Sequence, residues 1–242
     1  MSSREEILST IRNILKTHEK QGEKTPVGTF PPPLDNIMPT IPPEELAARF
    51  EQELRSLGCE TYRATSLSEL EGILCSILTH VQASSVVLTR NSVLNQLQIK
   101  MMLEGRGIEV ALWPEATAGQ PQASAFRDAC FTAEAGITGV DFALAETGSL
   151  VLTSITEGSQ LASLAPPVHI ALYRRSQIRS SLDEVLQNLP ISREPGSRSP
   201  ARSVVFVSGT SRTADIEQVL IRGVHGPRSV HAILVEESCL AG

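Results

Sequence analysis

Residues 85–112 read SVVLTRNSVLNQLQIKMMLEGRGIEVAL and contain a clear strand–helix–strand pattern. Residues 85–89 form a short apolar run that is typical of a buried strand. Residues 92–103 carry a helical pattern, which ends at Gly105 and Gly107. Residues 108–112 again read as a strand. Strands that alternate with helices at such short intervals favour a parallel sheet with helices packed on its faces.

The same rhythm extends in both directions from this stretch. We therefore predict an α/β domain over residues 44–242, built on an open, mostly parallel sheet with flanking helices. The sequence predicts further helices over residues 44–57, 67–78, 122–129, 181–189 and 213–222. It predicts further strands over residues 59–64, 168–173, 204–207 and 230–235. The apolar run 142–153 is split by Thr147 and Gly148, which predicts a hairpin or a sharply bent strand.

An amphipathic arm and a proline-rich linker precede this domain. Residues 1–21 begin with a capping box and place apolar side chains on one helical face. Residues 22–43 hold seven of the fifteen prolines, a density that excludes a continuous helix and favours extended backbone. The apolar face of the arm either folds back on its own domain or docks onto a partner.

Composition and charge exclude several classes of protein. A chain of 242 residues with 41% hydrophobic residues is long enough to bury a core without disulfides. Its net charge of −6 argues against a nucleic-acid-binding protein. We expect a cytoplasmic protein, because the chain shows neither the apolar stretch of a signal peptide nor that of a membrane span. The cysteines lack the short spacing of metal sites, which predicts isolated thiols at Cys59, Cys75, Cys130 and Cys239.

The first candidate site lies between the predicted strand 204–207 and the predicted helix 213–222. A helix N-terminus at the end of a strand favours an anion, and Gly209 would let the backbone approach it closely. The guanidinium of Arg212 can bind a carboxylate or a phosphate through two hydrogen bonds. The simpler interpretation is a helix cap supplied by Thr213. The ligand-binding candidates here are Ser208, Gly209, Thr210, Ser211, Arg212 and Thr213.

The second candidate is the turn Gly223-Val224-His225-Gly226-Pro227-Arg228. Two glycines and a proline constrain its backbone, and constrained loops often carry functional side chains. His225 is a candidate proton donor or acceptor, Arg228 can bind an anion, and Gly226 lies between them. An ordinary helix end followed by a turn into the last strand explains the same residues. His169 and His231 alternate with apolar residues on predicted strands, so we interpret them as packed or surface side chains.

The third candidate is Glu146, which stands inside an apolar run beside the turn Thr147-Gly148. A carboxylate there is either solvated in the turn or placed in a pocket. In a pocket, desolvation would raise its pKa and suit it to acid–base or nucleophilic chemistry. We expect Glu146, Arg212, His225 and Arg228 to meet in one pocket at the carboxyl ends of the strands, with His225 and Arg228 as the weaker members.

Three stretches resemble the lactate-utilisation protein C family, which carries a LUD domain. They are GITGVDFALAETGSLVL at 136–152, VSGTSRTADIE at 207–217 and RGVHGPRSVHAILV at 222–235. The resemblance spans roughly the whole chain, and the N-terminal helix with its linker fits it. It implies a fold similar to the ribose-5-phosphate isomerase and CoA-transferase group. CoA-transferases of this fold place a nucleophilic glutamate before a glycine-bearing turn, which Glu146-Thr147-Gly148 resembles in form.

The resemblance also implies a function. Members support the oxidation of L-lactate to pyruvate together with partner proteins that carry iron–sulfur clusters. We therefore expect a subunit that binds a small carboxylate or an anionic cofactor, holds no cofactor itself and leaves the clusters to its partners; an oligomer stays open. One alternative is a stand-alone isomerase or CoA-transferase with Glu146 as base or nucleophile. Another is a non-catalytic assembly protein that binds a partner through its arm.

Overall fold

The computed structural model describes Ser9 and residues 41–114, 120–189, 203–213, 221–223 and 225–240. The predicted arm and most of the predicted linker lie outside the described residues. The boundaries 1–21, 22–43 and 44–242 therefore stay predictions. Among the described residues, no helix is both long enough and apolar enough to span a lipid bilayer.

A six-stranded parallel sheet forms the centre of the domain. Its strands follow the order β1-β12-β7-β4-β2-β3. Every pairing in it is parallel, which confirms the predicted α/β class. The likeness to the isomerase and CoA-transferase group stays a prediction. The bounds are β1 Glu60–Ala64, β2 Ser85–Leu88, β3 Glu109–Leu112, β4 Ala135–Thr138, β7 Val168–Arg174 and β12 Ser229–Val235.

A second sheet of four strands accompanies the first. Its order is β8-β5-β6-β9, and β6 pairs antiparallel with both β5 and β9. The predicted hairpin is confirmed, because β5 and β6 are joined through Thr147 and Gly148. The bounds are β5 Phe142–Leu144, β6 Ser149–Thr153, β8 Ile178–Arg179 and β9 Val204–Val207. A separate sheet was not predicted, since strands this short carry little periodicity.

Helices connect β1 to β2, β2 to β3 and β3 to β4, as the alternating pattern predicts. Ser66 caps the second helix by accepting a hydrogen bond from the Glu69 N–H, and Asn91 caps the third through the Val93 N–H. The helices are α1 Leu46–Ser56, α2 Leu67–His80, α3 Ser92–Gln96, α4 Ile99–Glu104, α5 Gln120–Thr132 and α6 Leu182–Asn188. Short 3₁₀ turns cover Gln160–Ser163, Arg175–Gln177 and Glu237–Cys239.

Apolar side chains pack on both faces of the six-stranded sheet. On one face, α2, α3 and α4 cover alternating residues of the central strands. On the other, α1 and the inner face of the four-stranded sheet cover residues such as Ala171, Tyr173 and Leu234. Phe50 of α1 meets the ring of Tyr173 edge-on, at 5.0 Å between ring centroids. The four-stranded sheet is thereby fixed against the main sheet through α1.

Two predicted helices differ from the structure. The helix predicted over 92–103 is divided, because Gln98 adopts a left-handed backbone with φ of +52° between α3 and α4. The helix predicted over 213–222 is wrong at both ends. Strand β10 (Arg212–Thr213) pairs antiparallel with strand β11 (Ile221–Arg222), while residues 214–220 lie outside the described residues. Thr213 is therefore a strand residue, and its predicted role as a helix cap is wrong.

Candidate functional site

Hydroxyl groups join two of the three sequence-predicted segments. The Ser149 Oγ lies 2.7 Å from the Thr147 Oγ1 and 2.6 Å from the Ser208 Oγ. Ser149 is buried, whereas Thr147 and Ser208 are exposed. The pairing of β6 with β9 produces this contact, since Leu150 stands opposite Val207. The structure thus brings the hairpin turn and the loop after β9 into contact.

Two glycines let these turns approach the end of helix α1. Gly148 has φ of +66°, and a Cβ there would lie 2.4 Å from the backbone nitrogen of Leu54. Gly209 has φ of +112°, and a Cβ there would lie 3.1 Å from the Cβ of Leu57. A side chain at Gly148 would meet backbone that cannot rotate away. These glycines position the two turns by packing, which is distinct from the predicted approach to a ligand.

The 223–228 turn packs on the loop after β9. The Ser211 N–H donates to the carbonyl of Pro227 at 3.1 Å, and the Gly223 N–H donates to the carbonyl of Ser211 at 3.0 Å. The backbone N–H of His225 donates to the Ser211 Oγ at 3.3 Å. Because this turn leads into β12, it lies at the amino end of that strand. The expectation that all candidates sit at the carboxyl ends of the main sheet is therefore wrong for this turn.

Polar groups suited to an anion remain at the surface of this region, which we call the hydroxyl loop site: residues 147–149, 208–211 and 223–228 apart from Val224. The side chains of His225 and Arg228 are exposed, while Thr210 is buried and Gly226 faces the Ser211 side chain. Arg212 is described through its backbone in β10 alone.

Glu146 makes a different contact from the one predicted for a nucleophile. Its carboxylate accepts a hydrogen bond from the Leu182 N–H at 3.1 Å, at the beginning of helix α6. A carboxylate stabilises a helix N-terminus because the free N–H groups there carry partial positive charge. Glu146 is half-buried beside the hydroxyl groups of the same turn. Its predicted catalytic role stays a prediction.

A buried carboxyl that the sequence pattern does not indicate lies at the carboxyl ends of strands of the main sheet. Glu157 is fully buried where β2 and β4 end. Its Oε2 accepts hydrogen bonds from the Thr89 hydroxyl at 2.5 Å and from the Gly139 N–H at 3.0 Å. Its Oε1 accepts one from the Asn91 amide at 2.5 Å. The carboxyl ends of parallel strands are where α/β proteins commonly bind ligands, so this carboxyl is a second candidate.

Burial is the main influence on the pKa values of the two carboxyls in this region, Glu157 and Asp141. Desolvation raises the pKa of Glu157 to about 7, against the opposing effect of its hydrogen-bond donors. Asp141 follows β4 and accepts hydrogen bonds from the Thr153 N–H at 2.6 Å and the Thr156 hydroxyl at 2.9 Å. Desolvation raises the pKa of Asp141 as well. The negative charge of Asp141 further raises the pKa of Glu157.

Close packing encloses the Glu157 carboxyl. A Cβ at Gly139 would lie 2.1 Å from the Asn91 side chain. Gly158 has φ of +73°, and a Cβ there would lie 2.2 Å from the indole nitrogen of Trp113, at the end of β3. The sequence pattern that could have indicated this site is TSITEGS at 153–159, in which an acid lies among hydroxyl residues directly after a strand. That signal is weak, because surface turns have the same composition.

The two strand histidines are packed side chains, as interpreted from the sequence. His169 is fully buried and its Nε2 lies 2.8 Å from the Thr138 Oγ1. Burial lowers the pKa of His169 to about 3, so its ring is neutral at physiological pH. His231 is largely buried, with its Nδ1 3.3 Å from the Tyr62 hydroxyl. Within the described ranges, no group of three or more His, Cys, Asp or Glu side chains is placed to hold a metal ion.

Comparison with known proteins assigns the family. The profile of the LUD domain matches residues 47–235, which include the main sheet and both candidate sites. The chain therefore belongs to the LUD domain family.

Three relatives place the chain more narrowly. It is 30% identical over 175 residues to lactate utilization protein C of Halalkalibacterium halodurans, covering 72% of this chain and 73% of the relative. It is 25% identical to lactate utilization protein C of Oceanobacillus iheyensis, covering 97% of this chain and 98% of the relative. It is 26% identical to the uncharacterized protein YkgG of Escherichia coli, covering 78% of both chains.

A solved structure shows the same fold. The crystal structure of a DUF162 family protein from Deinococcus radiodurans matches with a TM-score of 0.56 and 23% sequence identity. The match covers 81% of this chain and 99% of that chain. At this identity the likeness concerns the fold alone.

Proposed function

We propose that this chain takes part in lactate utilisation, as a subunit that supports the oxidation of L-lactate to pyruvate with iron–sulfur partner proteins. The observation that carries the proposal is its likeness to proteins named lactate utilization protein C, in one case over 97% of its length. The three stretches that resemble that family lie on β4–β6, on the loop after β9 and on β12.

The environment of the cysteines supports a division of labour with partner proteins. Cys59, Cys130 and Cys239 are buried in the apolar core. Burial raises the pKa of the Cys130 thiol to about 11, whereas an iron–sulfur cluster is held by thiolates. In this proposal the chain itself carries no cofactor, and the electrons taken from lactate pass to clusters on the partners.

We propose the hydroxyl loop site as the place where a small carboxylate or an anionic cofactor binds. Support comes from the contact between the turn at Thr147 and the loop at Ser208, and from the exposed side chains of His225 and Arg228 nearby. Hydroxyl and guanidinium groups donate the hydrogen bonds that a carboxylate accepts. In this arrangement Glu146 positions helix α6, and the neighbouring hydroxyl and guanidinium groups donate hydrogen bonds to the ligand.

A gene deletion in the native organism tests the proposal. The deletion should abolish growth on L-lactate and leave growth on pyruvate unchanged, and the wild-type gene should restore growth. A Ser208→Ala gene should restore it poorly, while Ser68→Ala, which changes an exposed serine of α2, should restore it fully. Normal growth of the deletion strain on L-lactate would remove the chain from the pathway.

A further inference from the structure

The hydroxyl of Thr156 connects the buried carboxyl of Glu157 to the carboxyl of Asp141, which lies nearer the surface. The Thr156 Oγ1 lies 3.3 Å from the Glu157 Oε1 and 2.9 Å from the Asp141 Oδ2. The hydroxyl has one hydrogen and both carboxyls within reach as acceptors. Glu157 is fully buried, whereas Asp141 is half-buried. The three groups thus extend from the interior, at the carboxyl ends of β2 and β4, towards solvent.

We propose that Asp141, Thr156 and Glu157 form a proton relay, in which Glu157 holds one proton inside the domain and exchanges it through the Thr156 hydroxyl with Asp141. The proposal is independent of the function proposed above. In each transfer the proton on Glu157 Oε1 moves to Thr156 Oγ1, and the hydroxyl proton of Thr156 moves to Asp141 Oδ2. The net result is one proton transferred between two carboxyls, with the hydroxyl restored and no change in electrons.

The surrounding groups favour one proton shared by the two carboxyls. Two ionised carboxylates this close repel each other in a medium of low dielectric, so one of them retains a proton. The bonded neighbours Thr89, Asn91 and Gly139 do not titrate. Of the charged side chains on the adjoining segments, Asp141 raises the pKa of Glu157. Arg90, on the loop after β2, bonds through its guanidinium to the carbonyl of Pro114.

The hydrogen bonds of Glu157 accommodate both of its protonation states. The ionised carboxylate accepts from the Thr89 hydroxyl, from the Asn91 amide and from the Gly139 N–H. Once Oε1 is protonated it donates to Thr156, whose own hydrogen turns to Asp141. The Oε2 contacts to Thr89 and Gly139 persist in that state. The proton is therefore exchanged by rotation of one hydroxyl, without displacement of the strand ends.

Infrared spectroscopy of the intact protein tests the relay. A protonated buried carboxyl has a separate C=O band, and Glu157→Gln identifies the band that belongs to Glu157. In wild type that band should lose half its intensity near pH 7. Transfer into D₂O should shift the band rapidly in wild type and in Thr156→Ser, which keeps the hydroxyl. The rapid shift should be lost in Thr156→Val. The three proteins are compared at temperatures equally far below their melting temperatures, so that a difference in stability does not explain a difference in exchange rate.

The outcomes separate a relay from a purely structural carboxylate. Equal exchange rates in wild type and Thr156→Val would overturn the proposal, as would a Glu157 that stays ionised wherever the protein is folded. Asp141→Asn should lower the titration midpoint of Glu157, because it removes the neighbouring negative charge. If Glu157→Gln does not fold, ¹³C labelling of the glutamate carboxyls replaces it. One glutamate should then titrate near pH 7.

Discussion

The hydroxyl oxygens of Ser149 and Ser208 lie 2.6 Å apart, although 59 residues separate them in the chain. The contact joins the β5–β6 hairpin to the loop after β9, two segments that sequence patterns select separately. Ser149 is buried and Ser208 is exposed, so the pair connects the core to the surface. The buried Ser149 therefore holds the exposed Ser208 of the hydroxyl loop site in a fixed position.

Replacing Ser208 by alanine should weaken binding of pyruvate or L-lactate, and the lost hydrogen bond to Ser149 should lower stability by no more than about 1.5 kcal/mol. A neutral hydrogen bond contributes about 0.5–1.5 kcal/mol, so affinity should fall up to roughly tenfold. Isothermal titration calorimetry measures the affinity, and Ser68→Ala, which alters an exposed serine of α2, serves as the matched control. Identical affinities for wild type and Ser208→Ala would remove the loop after β9 from the site.

Replacing Arg212 by alanine should lower the affinity for pyruvate or L-lactate more strongly than Ser208→Ala does. A lost hydrogen bond to a charged group costs about 1.5–3 kcal/mol. Arg127→Ala is the control, because Arg127 is an exposed arginine on α5 whose ion pair is with its neighbour Asp128. Calorimetric titrations of both variants distinguish a local contact from a general loss of positive charge. A similar loss of affinity in both would contradict a specific role for Arg212.

Replacing Gly148 by alanine should destabilise the domain by roughly 1–3 kcal/mol, through the strained φ alone. The added Cβ would also collide with the backbone of Leu54, which cannot rotate away. Gly72→Ala is the matched control, since nothing lies within 4 Å of its Cβ position in helix α2. That change should be neutral or stabilise by about 0.5–1 kcal/mol. Urea unfolding compares the two, and equal stabilities would refute the packing described for the hairpin.

The stability of the domain should depend on pH through Glu157. Its pKa is raised from 4.5 to about 7 in the folded state, so the folded protein binds this proton more tightly than the unfolded chain. The resulting stabilisation is fully present below about pH 4.5 and is lost as pH rises through about 7. This pKa shift corresponds to a change of about 3 kcal/mol in the free energy of unfolding.

Urea unfolding at a series of pH values measures this dependence, and Glu157→Gln provides the comparison. The variant should lack the part of the pH dependence that Glu157 contributes, since an amide does not titrate. It should also be less stable at low pH, because an amide nitrogen cannot accept the hydrogen bonds that the carboxyl oxygen accepts. Parallel stability curves for the two proteins across this range would show that Glu157 does not titrate in the folded state.

Much of the fold is predictable because strand and helix patterns alternate regularly. The stretch at 85–112 predicts β2 and β3 correctly, since buried parallel strands are continuous apolar runs. The segment after Ser211 is not predictable in this way. Its helical pattern begins and ends where the structure has the short antiparallel strands β10 and β11, because pairing between Arg212 and Arg222 overrides local preference.

The candidate sites divide similarly. Hydroxyl and glycine residues in turns indicate Thr147 and Ser208 as site candidates, and the structure brings these two turns together. Glu157 is not recognisable from the sequence, because its burial depends on segments that follow two separate strands, β2 and β4. A single acid in a polar stretch gives no indication that Thr89 and Gly139 will surround it. Contacts between distant segments become visible in three dimensions alone.

Reconstituted oxidation of L-lactate is the decisive assay for the proposed role of this chain as a subunit. The chain is purified alone, mixed with its iron–sulfur partner proteins, and assayed by reduction of an artificial electron acceptor. The chain alone should be colourless and inactive, since its cysteines lack cluster spacing. The full mixture should oxidise L-lactate to pyruvate, with a lower rate when Ser208→Ala replaces wild type. Oxidation by the partners at the same rate without this chain would contradict the account, as would L-lactate oxidation by this chain alone.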